Sequence, residues 1–237
     1  MDNKLSLVIP CFNEAKSLEN LILRCVKLSQ EYKIKFILVN NGSNDNTKEI
    51  FEEYKKKYTE IKFVELDINK GYGYGILFGL KHANSDYLGW THADLQTDPE
   101  DVLKSLKLIS PNDVELKFIK GIRKKRKVSD NIFTIGMAII ESFLFKTRLW
   151  DINAQPTIFS KSFYLKWEKP PTDFSLDLYA YVLAKKMQIK INRIPVKFNK
   201  RQYGESSWNT SLKQRYKFIK RTLIYSLDLR KILNENS

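Results

Sequence analysis

From Leu5 to Thr91 the chain alternates unbroken apolar runs with stretches in which apolar residues recur every three or four positions. Leu5 to Pro10, LSLVIP, is continuous and ends at a breaker, the pattern of a strand buried on both faces. Glu14 to Gln30 places Ala15, Leu18, Leu21, Ile22, Cys25, Val26 and Leu28 at helical spacing, and Phe36 to Val39 repeats the strand pattern. The turn-rich NNGSNDNT follows, in which Asp45, Asn46 or Thr47 can cap a helix running through Tyr54. Ile61 to Leu66 reads as a third strand, NKGYGYG as a tight loop opening a helix to about Ala83, and Asp86 to Thr91 as a fourth strand. Buried strands alternating with helices predict a parallel α/β sheet with right-handed crossovers, whose ligands bind beyond the carboxyl ends of the strands. Each polar loop named here lies at such an end.

Beyond Pro111 the pattern loosens. Val114 to Ile122 is a strand candidate leading into RKKRK, Asn131 to Lys146 an amphipathic helix, Thr157 to Phe159 a short strand and Leu176 to Met187 a helix. Ile189 to Phe198 alternates around Pro195, which places it at an edge or a bulge, since proline cannot donate to a ladder. Leu212 to Leu233 aligns Leu212, Tyr216, Ile219, Leu223 and Leu227 on one helical face, with Lys213, Lys217, Lys220 and Arg221 elsewhere. No internal repeat or low-complexity linker interrupts the chain. The expected division is a main domain over 1–210 and a basic amphipathic helix over 211–237.

The densest polar chemistry follows the fourth strand, in GWTHADLQTDP. Its second half is explained by helix initiation: Thr97 or Asp98 caps, Pro99 suits the first helical position, and Glu100 and Asp101 favour the positive end of the helix dipole. That leaves His92, Asp94 and Gln96, whose alternate spacing on an extended backbone would put all three on one side. Carboxylate and amide oxygens suit Mg²⁺ or Mn²⁺, and histidine is more usual with Mn²⁺ or a softer ion.

Charge narrows the partners. Lys and Arg number 41 against 27 Asp and Glu, a formal net charge of +14, so an anionic partner is expected: a nucleotide, nucleic acid or phospholipid surface. The chain lacks an aromatic-interleaved RNA-binding motif and the spacing of a DNA-reading module, so nucleic acid has nothing but charge behind it. Cys11 and Cys25 are the only cysteines, with no CxxC pair, which fits a reducing cytosol; Cys11 reads as a small apolar filler. MDNKLSLVIP enters a strand without a secretory leader's apolar core, and Ile132 to Phe145, broken by Gly136 and Glu141, falls short of the roughly 20 apolar residues a spanning helix needs. The expectation is a cytoplasmic protein, peripheral on an anionic membrane face through basic runs that flank apolar helices.

HADLQTDPEDV resembles the DADLQxxPE segment of the family 2 glycosyltransferases of the GT-A fold, in particular the dolichol- and polyprenyl-phosphate sugar synthases. VIPCFNE (Val8 to Glu14) resembles the family's VIPxYNE, VNNGSNDNT (Val39 to Thr47) its VDDGSxDxT, and NKGYGYGILFGLKHA (Asn69 to Ala83) its NxGxGxAxxxGLxxA. IPVKFNKRQYGESS (Ile194 to Ser207) resembles the closing VPIxFxxRxxGxSK. The GYGYG run has no GxGxxG spacing, so a dinucleotide fingerprint is not the reading.

The resemblance implies a GT-A, Rossmann-like α/β fold with a predominantly parallel sheet, a nucleotide-diphosphate sugar as donor and a divalent metal. Asp94 and Gln96 would be metal ligands, with His92 a further ligand or diphosphate contact. Pro10, Phe12, Glu14, Asn40 and Asn41 would line the nucleoside pocket, with Lys70 and Gly71 beside it. The sequence departs from the family in His92, where the metal motif has its first Asp, and in Asn40 and Asn41, where the DDGS loop has carboxylates; asparagine still donates and accepts hydrogen bonds. The acceptor would be polyprenyl phosphate, already ionised and held by Arg123 and Arg201, or a sugar hydroxyl needing a carboxylate base. Asp173 or Asp177 is the candidate base, although each taken alone reads as the exposed face of a helix start. Asp151, Asn153 and Gln155 occupy the place of the acceptor loop without its Ser-Gly-Phe, and Ser206 falls in the closing motif. A non-catalytic sugar-nucleotide binder is the remaining alternative.

Overall fold

The computed structural model describes residues 4–109, 116–124, 128–199 and 212–235. Strands form where the sequence is most continuously apolar. β1 (Leu5–Cys11) and β2 (Ile34–Asn41) are buried along almost their whole length and pair in parallel, from Leu5 opposite Ile34 to Cys11 opposite Asn40. Between them α1 (Ala15–Tyr32) buries Leu18, Leu21, Ile22, Cys25 and Val26, the face its spacing predicts. α2 (Thr47–Lys57), β3 (Lys62–Leu66), α3 (Tyr72–Lys81) and β4 (Tyr87–Trp90) complete the first half. A 3-10 turn (Pro99–Val102) runs into the single-turn α4 (Leu103–Leu106), and Asp98 caps it by accepting the Glu100 N–H at 3.0 Å.

The second half adds β5 (Phe118–Lys124), α5 (Val128–Leu144), β6 (Thr157–Ser160), α6 (Lys161–Tyr164), α7 (Leu176–Lys186), β7 (Ile191–Lys197) and α8 (Leu212–Glu235). The seven-stranded sheet has the order β3-β2-β1-β4-β6-β5-β7. It is mostly parallel, as expected; β6 alone runs against both neighbours, β4 and β5. The strand expected at Val114 to Ile122 starts later and ends later, because its ladder is set by its partners: pairing begins at Phe118 opposite Phe159 and extends to Lys124 opposite Lys197. Pro195 lies on β7 at the sheet edge, where a missing N–H is tolerated.

Each sheet face carries its own core. On one side α1 and α2 cover Leu7, Ile9, Phe36 and Leu38 with Leu21 and Phe51. On the other, α3 and α7 cover Val8, Val39 and Phe118 with Ile76, Ala180 and Tyr181. Trp90, fully buried at the end of β4, meets Phe159 and Trp167 edge-on at 5.5 and 6.2 Å, so Trp167 is a core aromatic; Trp150 is exposed and Trp208 lies outside the described residues. Cys11 is buried, and burial pushes its thiol well up, which makes it the inert filler expected. His82 caps α3, its Nδ1 3.0 Å from the Phe78 carbonyl oxygen.

α8 docks through Leu229 and Ser226, and the Ser226 hydroxyl lies 2.8 Å from Oε1 of Glu141 on α5. The opposite side of α5 leaves Ile135, Ile139, Ile140 and Phe143 exposed. Among the described residues no helix is long and apolar enough to cross a membrane.

Candidate donor and acceptor site

The carboxyl ends of β1, β2 and β4 open onto one edge of the sheet, and the loops there are stitched to one another. Asn13, in a left-handed conformation, accepts the Asn44 N–H at 2.8 Å, while its own N–H meets Ser43 Oγ at 3.1 Å. Asp45 serves two helices at once: one carboxylate oxygen accepts Ala15 N–H at the start of α1, the other Thr47 N–H at the start of α2, both at 3.1 Å. Glu14 holds Ser17 Oγ at 3.0 Å. Phe12 is exposed beside the partly covered Pro10. Asn40 and Asn41, buried at the end of β2, brace this floor: Asn40 Oδ1 accepts Ser43 N–H at 3.1 Å, and Asn41 Nδ2 donates to the Gly71 carbonyl at 3.1 Å.

The glycine-rich loop is shaped by a close approach. Gly71 has φ +112°, and a Cβ there would lie 2.5 Å from Thr172 O; a Cβ on Gly73 would lie 2.6 Å from Asp173 O. Tyr74 N–H donates to Thr172 O at 2.8 Å, so the segment 171–173 seals the start of α3. Lys70 is exposed, its ammonium 5.2 Å from the centre of the Tyr74 ring.

The backbone at His92, Asp94 and Gln96 is not extended, contrary to the expectation from spacing. β4 stops at Trp90, Leu95 takes a left-handed φ of 54°, and Asp94 Oδ1 accepts the Gln96 N–H at 3.1 Å in a tight turn. The turn nonetheless buries Thr91, Ala93, Leu95 and Thr97 and leaves His92, Asp94 and Gln96 partly open. Gln96 is tied to the far end of β7: its Nε2 donates to Asn199 O at 3.2 Å, and its own carbonyl accepts Asn199 N–H at 2.7 Å. The His92 ring lies 5.6 Å from that of Tyr72, which stacks on Phe174 at 4.7 Å. Burial draws the His92 pKa down, against the pull of Asp94 and Asp177, and Arg123 and Lys120 lower it further, so the ring is neutral near pH 7. Among the described residues no three His, Cys, Asp or Glu side chains form a cluster able to hold a metal.

Among the residues expected to meet an acceptor, Asp177 corrects the sequence reading of an exposed helix start. It is 2% exposed, and its Oδ1 accepts from Lys120 Nζ at 3.2 Å and Gln155 Nε2 at 2.7 Å. Asp173 is partly exposed; it accepts Ser175 N–H at 2.9 Å and pairs with Arg221 Nε at 3.1 Å. Asp151 is buried and grips Arg123, accepting its backbone N–H at 2.8 Å, its Nε at 2.7 Å and its Nη2. Asn153 is exposed at the tip of this loop. Arg201 and Ser206, with Lys125 to Lys127 of the basic run, lie outside the described residues.

Sequence reasoning passed over Lys120, Phe174 and Arg193. Arg193, paired across the ladder with Lys120, donates to Trp150 O at 3.0 Å. A lysine amid the apolar residues of FIKGI was the available signal, since a buried strand carries charge only for a reason.

Residues 6–167, more than half of the chain, match the family described as "Glycosyl transferase family 2". The chain is 30% identical over 139 residues to the poly-beta-1,6-N-acetyl-D-glucosamine synthase of Staphylococcus epidermidis, covering 57% of this chain and 33% of that protein. It is 24% identical over 217 residues to the undecaprenyl-phosphate 4-deoxy-4-formamido-L-arabinose transferase of Salmonella choleraesuis, covering 87% and 63%. The chain thus spans about a third of the length of the synthase and less than two thirds of that of the transferase. Among solved structures, glucosyl-3-phosphoglycerate synthase of Mycobacterium tuberculosis, in complex with Mn²⁺, UDP-glucose and phosphoglyceric acid, superposes with a TM-score of 0.73 at 13% identity, over 97% of this chain and 80% of that one. A mannosyltransferase of Pyrobaculum calidifontis, in complex with GDP-Man and Mn²⁺, gives 0.62 at 15% identity, over 86% and 59%.

Proposed function

The chain belongs to glycosyl transferase family 2, and on that premise we propose that it moves a sugar, with inversion, from a nucleotide-diphosphate donor to polyprenyl phosphate. Its fold is the GT-A α/β fold. The stitched loops after β1 and β2 bind the nucleoside, through Pro10, Phe12, Glu14, Asn40 and Asn41, and Lys70 lies beside the phosphates. Asp94 and the neutral His92 would hold a divalent cation. A neutral imidazole and a carboxylate are fit ligands, and Mg²⁺ or Mn²⁺ is commonly held by one or two side chains together with the substrate's phosphates rather than by a full protein cage. Such an ion, when bound, offsets the charge that grows on the departing diphosphate.

The state of the acceptor-side carboxylates carries the choice of acceptor. Asp151 is engaged by Arg123, Asp173 by Arg221 and Ser175, and Asp177 by Lys120 and Gln155. A sugar hydroxyl needs a base within reach of its proton, whereas a phosphate arrives ionised and needs orientation by cations, here Arg123 aimed by Asp151. Similarity to the S. epidermidis polymer synthase favours a glycan hydroxyl as the second reading.

Calorimetric titration with UDP, GDP, CDP and dTDP, each with Mn²⁺, Mg²⁺ or EDTA, tests the donor half. Metal-dependent binding of one diphosphate is expected, weakened at least about 100-fold in Asp94→Ala. Binding of none would overturn the transferase reading. Incubating the matching nucleotide sugars with farnesyl phosphate or with a β-1,6-linked glucosamine oligomer, and weighing the products by mass spectrometry, separates the two acceptors.

A further inference from the structure

Lys120 is where β5 breaks its own pattern. Phe118 and Ile119 before it are buried apolar side chains, and Lys120 is itself 0% exposed. Taking an ammonium out of water is costly, and burial draws its pKa down to about 8 even beside Asp177. A buried ion pair is commonly no more stabilising than apolar residues of the same volume, so stability does not account for a lysine here.

Its contacts suggest another role. Lys120 Nζ lies 2.7 Å from Thr157 Oγ1 on β6 and 3.2 Å from Asp177 Oδ1 on α7. The same carboxylate oxygen accepts Gln155 Nε2 at 2.7 Å. Gln155 ends the loop that begins at Asp151, and that loop lies directly on β5: Gly121 N–H donates to Pro156 O at 2.9 Å, and a Cβ on Gly121 would overlap the Gln155 carbonyl. β5, α7 and the loop therefore meet at one carboxylate oxygen, which an ammonium beneath it holds in place.

We propose that Lys120 is a positioning residue for the acceptor half of the site, fixing Asp177 and through it the loop Asp151–Gln155 that aims Arg123. The inference deepens the proposed function and rests on it only in naming this loop the acceptor side. Lys120 touches no substrate. Asp177 is then an anchor for the loop rather than a base.

The test compares Lys120→Met with the double variant Lys120→Met/Asp177→Leu, which removes both charges. Three quantities are measured: deuterium exchange of peptides covering 150–157 and 40–47, thermal melting, and calorimetric binding of UDP and GDP with Mn²⁺. In Lys120→Met, exchange in 150–157 should rise about tenfold or more. Exchange in 40–47 should stay within about twofold of wild type. The double variant should recover the melting temperature yet keep the fast loop, because Gln155 has lost its anchor. Wild-type loop exchange in either variant, or a double variant that restores loop and melting together, would overturn the proposal. If the single variant fails to fold, the double variant decides alone. If wild type binds no diphosphate, the transferase reading falls while the loop exchange still decides the role of Lys120.

Discussion

At the scale of single residues, the site is built by side chains that hold other side chains. Gly73 illustrates how tightly. Alanine there would gain about 1 kcal/mol in helix propensity, but its Cβ would lie 2.6 Å from Asp173 O and 2.7 Å from Thr172 C, both backbone. Overpacking against backbone costs about 1–3 kcal/mol and dominates, so Gly73→Ala should lower the urea midpoint. Lys120→Met should cost about 3–5 kcal/mol by leaving the buried Asp177 without its counter-charge, whereas the double variant should return to within about 1 kcal/mol of wild type in the same urea titration. The placement of Pro10, Asn40, Asn41, Gly71 and Asp94 was legible in the sequence, because they sit at or just beyond strand ends that local pattern locates. Lys120 and the burial of Asp177 were not. Their meaning arises from a contact between positions 57 apart in sequence, and a helix start looks the same in sequence whether solvent or a lysine lies beneath it.

At the scale of elements, α5 and α8 are joined by a titratable latch. The Ser226 hydroxyl lies 2.8 Å from both Glu141 Oε1 and the Thr222 carbonyl oxygen. The two oxygens share its single proton, which the hydroxyl donates. Burial raises the Glu141 pKa from its ordinary 4.5 to about 7, with Ser226 opposing. The folded protein therefore keeps a proton that the unfolded chain releases near pH 4.5, and the stability from this group is full below that pH and lost as pH rises through 7. The loss amounts to about 3 kcal/mol. Urea midpoints at pH 5 and pH 7.5 should differ accordingly in the wild type, and Glu141→Gln should remove this contribution. The periodicity of α1, α2, α3 and α7 announced those helices to within a few residues. The reversed direction of β6 was invisible, since a four-residue strand such as TIFS carries no mark of its direction, and its sense is set by β4 and β5.

At the scale of the molecule, a net charge of +14 is joined by a bare apolar side of α5. Phe143 is 85% exposed, Ile139 lies one turn before it, and the exposed Lys146, Arg148 and Trp150 follow. We propose that this surface lies on an anionic lipid leaflet, with apolar side chains inserted and cations at the headgroups. Vesicles of equal parts phosphatidylglycerol and phosphatidylcholine should sediment the protein better than phosphatidylcholine alone, and Phe143→Ser should weaken that binding about tenfold or more. Equal sedimentation with both would refute it. α8 also reaches the proposed donor side, because the Arg221 guanidinium lies 5.9 Å from the Phe174 ring, Phe174 stacks on Tyr72, and Tyr72 meets His92. The wall beside His92 is therefore complete only once α8 has docked. Without α8 the loops after β1 and β2 would face an open side, because the guanidinium that backs the Phe174–Tyr72 stack comes from that helix.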